Sequence, residues 1–193
     1  MRLDVLNRGY SPGTRLLFAL IRLFSRQPVP DAAKLVFHRP DFYGSRAKEF
    51  THEAMRGPSA WSVGDRELMA AYVSQVNESA FCIGAHSATA RQAYQDGPKV
   101  AAVLADLESA PIGDGLRATL RMLGKLTREG TVDAGDVRRV LSAGVSRQQV
   151  EDALAVCAAF NTTGRLADAF GFKVLSPEAF EAGARFLLKR GYR

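Results

Sequence analysis

Residues able to do acid–base or nucleophilic chemistry cluster near the middle of the chain. Cys82 and His86 stand four apart, and they are one of two cysteines and one of three histidines in 193 residues. On a helix that spacing puts both side chains on one face. A thiol attacks only as its thiolate, and an imidazole one turn on can take or return the proton. Ser79 reads as the N-cap of an Ala-rich helix, with Cys82 in its first turn. Unpaired N–H groups and the helix dipole there favour a thiolate, so an acidic Cys82 is expected. Glu67 sits on the border of the preceding helix's apolar face. By itself it reads as a first-turn carboxylate.

The elements that must position these residues read as helices throughout. Ser11-Pro12 opens a helix whose stripe is Leu16, Leu17, Leu20, Ile21 and Phe24. Such a stripe suits a membrane surface, the chain's own core or a neighbouring subunit, and the last two are preferred. Met1 to Tyr10 reads as an irregular arm. A short helix over 32–37 follows, then one capped by Asp41 that runs to Arg56. Ser62 opens the helix that carries Glu67, Leu68, Met69, Tyr72 and Val73. The motif helix spans about 80–94. Further helices are expected at 100–107, from Asp114 as cap to about Arg128, and over 133–143. A long one begins at the capping box of Ser146 to Gln149, with a kink or polar contact near Asn161 to Gly164. Ser176-Pro177 opens the last. No strand alternation occurs, so the chain reads as all-α with about eight or nine helices and short connections.

Apolar residues make up 47% and charged residues 24%, which suits one globular domain rather than a disordered chain. The formal charge is +6, and residues 1–56, with ten Lys/Arg against five Asp/Glu, hold +5 of it. No nucleic-acid motif accompanies that bias, so it reads as a solvated face or a subunit contact, with no nucleic-acid partner. Leu16 to Ile21 is too short to span a bilayer, and no signal-cleavage site follows; no transmembrane segment is expected. Two cysteines make no disulfide framework, which fits a reducing, cytoplasmic location. His38 and His52 lack metal-ligand spacing and read as surface or packing residues. No metal, haem or nucleotide motif is present, so no cofactor is expected.

Read in order, the residues give Glu67-x11-Ser79-x2-Cys82-x3-His86. This resembles the alkylhydroperoxidase-D-like / carboxymuconolactone decarboxylase superfamily, whose signature is E-x11-C-x2-C-x3-H. Flanking text is also similar, from Asp65-Arg66-Glu67-Leu68 through Cys82-Ile83-Gly84-Ala85-His86-Ser87 to Arg165-Leu166-Ala167-Asp168. The resemblance covers about residues 30–172, leaving 1–29 as a basic arm and helix before a helical domain at 30–193. It implies an all-helical, oligomeric subunit (dimer, trimer or hexamer) and a thiol-dependent peroxidase that reduces hydroperoxides. In that scheme Cys82 attacks the peroxide and becomes a sulfenic acid, His86 relays the proton, and Glu67 orients His86 through a water. Ser79 replaces the family's first cysteine. Resolution then needs an external thiol, a redox protein or Cys157, and Ser79 becomes a candidate hydrogen-bond donor to Cys82. Two other functions stay open. One is a carboxymuconolactone-decarboxylase-like lyase with His86 as acid and base. The other is a non-catalytic helical oligomer.

Overall fold

The structure is a computed structural model and describes residues 4–192. Among the described residues there are ten α-helices and no strand. They are α1 (Pro12–Ser25), α2 (Asp31–His38), α3 (Ser45–Arg56), α4 (Val63–Val76) and α5 (Ala80–Tyr94), then α6 (Gly97–Ala105), α7 (Asp114–Glu129), α8 (Ala134–Ser142), α9 (Arg147–Phe170) and α10 (Pro177–Arg190). The all-helical expectation holds, and each helical segment read from the sequence has a counterpart, which gives ten helices where eight or nine were expected.

Local chemistry explains most boundaries. The Ser11, Ser62, Ser146 and Ser176 hydroxyls each accept from a first-turn N–H, and Ser62 with Asp65 and Ser146 with Gln149 close full capping boxes. Two expected caps differ. Asp41 lies inside a wide turn over Pro40–Gly44 that feeds α3, and Asp114 is the first residue of α7, capped by Gly113. The weak helix formers Asn161 to Gly164 do not end α9, which runs on to Gly171. There Gly164 packs on the Ser79 side chain, 3.5 Å from its Cβ position. Tertiary packing overrides propensity at that point.

Two apolar clusters make the core. The larger joins Leu68, Met69 and Val73 of α4 to Leu120 and Leu123 of α7 and to Val156 and Phe160 of α9. The smaller gathers Leu6, Leu35, Phe81, Cys82, Phe172 and Phe180. The N-terminal arm is therefore anchored through Leu6, which is fully buried, rather than irregular throughout. Helices α4 and α5 are buried on nearly all sides, so neither shows a strong apolar stripe. Gly84 lets α10 close onto α5: a Cβ there would lie 2.4 Å from the Phe180 ring. Helix α1 buries none of its residues. Its Phe18 meets Tyr10 and Phe37 edge-on at 5.1 and 5.5 Å, but Leu23 and Phe24 are 69% and 82% exposed. Of the expected stripe only Ile21 is half-buried, and the ring contacts are made by Phe18 beside it. Among the described residues no helix is long and apolar enough to cross a membrane.

Candidate active site

Helix α4 supplies Glu67, and α5 supplies Ser79, Cys82 and His86. The turn between them, Asn77-Glu78-Ser79, is tight enough that Glu78 takes a left-handed φ of 57°. It lays the two helices side by side and brings Glu67 onto His86. The contact is direct: His86 Nδ1 lies 2.8 Å from Glu67 Oε2, where a bridging water was expected. Glu67 is fully buried and His86 is 5% exposed.

A buried carboxylate needs a counter-charge. Arg56, at the end of α3, supplies it through Nη2, 2.6 Å from Glu67 Oε1. The same guanidinium donates to the Met55 and Leu187 carbonyls, tying α3 to α10. Glu67 Oε1 takes a second donor, the Tyr192 hydroxyl, at 2.9 Å. Burial would raise the Glu67 carboxyl; the hydrogen bond and charge of His86 and the Arg56 guanidinium outweigh it and hold the group below its ordinary value. An ionised Glu67 is only an acceptor, so Nδ1, the imidazole nitrogen that faces it, is the one that donates. On α5 His86 follows Cys82 by one helical turn, which puts both on the same face. Phe160 of α9 closes the other side, its ring edge-on to His86 at 4.2 Å.

Cys82 is 1% exposed. Burial pushes its thiol up to about 11; the Ser79 hydroxyl acts in the opposite direction, and the Asp168 carboxylate adds to the rise. The expected acidification by the helix start is therefore overturned. First-turn N–H groups act on one side only, whereas desolvation acts from every side. Ser79 also departs from expectation as a cap. It stands at the N-cap position, yet its hydroxyl reaches Asp168 Oδ1 at 3.1 Å and the Gly164 carbonyl at 3.5 Å and makes no capping bond.

Cys157 lies in the other apolar cluster, with Thr127 Oγ1 at 3.6 Å and Asn161 Nδ2 at 3.2 Å. Asn161 also accepts from Asn77, so the polar stretch of α9 serves an intrachain contact. Arg165, four residues after Asn161 on α9, is exposed. His52 is more than a packing residue, because its Nδ1 accepts the Tyr192 backbone N–H at 3.2 Å. Arg56 and Tyr192 escaped the sequence reading. Arg56 ends a helix like many arginines, and Tyr192 stands 125 residues from Glu67 in sequence. Among the described residues no group of three His, Cys, Asp or Glu side chains is placed to hold a metal ion.

This arrangement, a helix pair carrying carboxylate, cysteine and histidine in that order, defines a class, and the comparisons agree with it. Residues 43–125 match the model of the carboxymuconolactone decarboxylase family. An uncharacterized peroxidase-related protein from Silicibacter sp. TM1040 superposes with TM-score 0.79 at 23% identity, over 94% of this chain and 95% of that one. A second, described as an alkylhydroperoxidase AhpD core from Ralstonia eutropha JMP134, gives TM-score 0.74 at 22% identity, over 95% of each chain. The debrominase Bmp8, in a cysteine-to-alanine form bound to 2,3,4-tribromopyrrole, gives 0.70 at 14% identity over 90% and 91%. At these identities the likeness is one of fold. A search of curated proteins returned no match. The family match over residues 43–125 and the fold likeness along nearly the whole chain both agree with the resemblance carried by the spacing of Glu67, Cys82 and His86.

Proposed function

We propose that the chain is a thiol-dependent peroxidase in which Cys82 reduces a hydroperoxide, with Ser79 in hydrogen-bond contact with the sulfur. The observation that carries this reading is the buried Arg56–Glu67–His86 chain, one helical turn from Cys82. A thiol held near 11 is almost wholly protonated at neutral pH, so it needs a base beside it. His86 takes the thiol proton on Nε2, and Glu67 with Arg56 stabilises the imidazolium. The sulfur attacks the terminal peroxide oxygen, the O–O bond breaks, and His86 returns the proton to the departing alkoxide. The products are Cys82 sulfenic acid and an alcohol. One external thiol, from a small molecule or a redox protein, condenses with the sulfenic acid to a mixed disulfide and water. A second thiol releases reduced Cys82 and leaves as disulfide. Placement of Cys157 in a separate cluster supports an external reductant over Cys157 of the same subunit. The homo-oligomer belongs to the same reading, supported by the exposed apolar side chains of α1.

The test is peroxide consumption with mass detection of the Cys82 adduct. Loss of turnover in Cys82→Ser, with the fold intact, is expected; retained turnover overturns the reading. The raised thiol favours one alternative, a carboxymuconolactone-decarboxylase-like lyase in which His86 moves the proton without sulfur chemistry. Turnover of a carboxylactone that survives Cys82→Ser would establish it.

A further inference from the structure

From the way α10 ends, we infer that Tyr192 is a positioning residue for the Glu67–His86 pair, fixing where its proton sits. The inference rests on the reading of that pair as the base for Cys82. Gly191 ends α10 at φ 67°, and a Cβ there would lie 2.7 Å from the His52 ring. Only glycine takes this conformation in this space without strain. The turn sends Tyr192 inward instead of onward. Three contacts then hold it: its N–H on His52, the Arg56 guanidinium carbon 5.1 Å from its ring centroid, and the His86 ring stacked at 6.4 Å.

The hydroxyl has one proton and two acceptors in reach, Glu67 Oε1 at 2.9 Å and His86 Nδ1 at 3.4 Å. Glu67 Oε2 is taken by the Nδ1 proton of His86, so the tyrosine proton goes to Oε1 beside Arg56. Oε1 then has two donors, Arg56 and Tyr192, and Oε2 has one, His86. Burial, with the Glu67 charge, raises the phenol well above its ordinary value, so it stays a donor through the working pH range. A donor to the ionised form lowers the proton affinity of the coupled pair. Tyr192 thereby adds to what Arg56 does in keeping Glu67 of that pair ionised.

The test uses the full chain carrying Cys157→Ser, so that iodoacetamide reports on Cys82 alone. Tyr192→Phe keeps the ring and removes the hydroxyl. Gly191→Ala keeps the hydroxyl and displaces it, which covers the case in which the first variant fails to fold. Both are expected to move the acid-side fall in alkylation to higher pH by about one unit. In cumene hydroperoxide turnover, kcat should follow the same displacement, with KM changed less than about twofold. Profiles that superimpose on the parent overturn the inference. So does a loss by the same factor at every pH, the mark of a merely structural role. A parent that shows the alkylation shift yet consumes no hydroperoxide overturns the peroxidase reading and leaves the inference standing.

Discussion

Cys82 and Cys157 are each 1% exposed, and burial raises both thiols above their ordinary value. Their surroundings otherwise differ. Cys157 meets two neutral groups, the Thr127 hydroxyl and the Asn161 amide, inside the larger core. Cys82 sits one turn before an imidazole bound to an ionised carboxylate, which a guanidinium balances. Neutral donors offset desolvation a little and offer no place for the proton. The imidazole offers one, and the buried charges behind it make proton acceptance affordable in a dry interior. The contrast teaches that the thiol's own acidity does not distinguish the two sites; the buried charged groups on the same helix pair as Cys82 do.

The widest separation should come from the cysteines themselves. Cys82→Ser is expected to lower hydroperoxide consumption by more than about a hundredfold, and Cys157→Ser to change it less than about twofold. Equal losses in a peroxide assay would erase the contrast. Next is the carboxylate. Glu67→Gln leaves the Arg56 charge buried without its partner, so a loss of about 3 kcal/mol in a denaturant titration is expected, with a drop in turnover. An unchanged midpoint would remove the counter-charge from the account.

A third test reads the buried thiol through stability. The folded Cys82 value near 11 lies above the ordinary 9.0, so the folded chain holds that proton more tightly than the unfolded one. Its contribution is complete below pH 9 and falls away as pH rises toward 11, by on the order of 2 kcal/mol. Cys82→Ser should flatten that window in denaturation curves; a slope that survives the substitution assigns it to other groups. The smallest effect is expected at the rim. Asp168→Asn removes a negative charge that raises the Cys82 thiol, so alkylation near neutral pH should quicken about two- to threefold. Slower alkylation would show that Asp168 acts through the Ser79 hydroxyl instead.

The order Glu67, Ser79, Cys82, His86 and the serine caps could be read from the chain because each depends on near neighbours. A cap needs a hydroxyl and an N–H three residues on, and a shared helix face needs a spacing of four. The direct Glu67–His86 bond needed one further fact, how closely α4 and α5 pack. The burial of Leu6 was not legible for the same reason, since residues far along the chain, such as Phe81 and Phe172, provide it.

Residue types and spacing alone determined an all-helical chain with a cysteine and a histidine on one helix face. Tertiary structure alone decided that Arg56 and Tyr192 meet at Glu67, and that Cys82 is a weak acid instead of a strong one. Helix geometry repeats over a few residues and is written locally. Desolvation and charge pairing sum over everything that folding brings near, and no local stretch carries that sum.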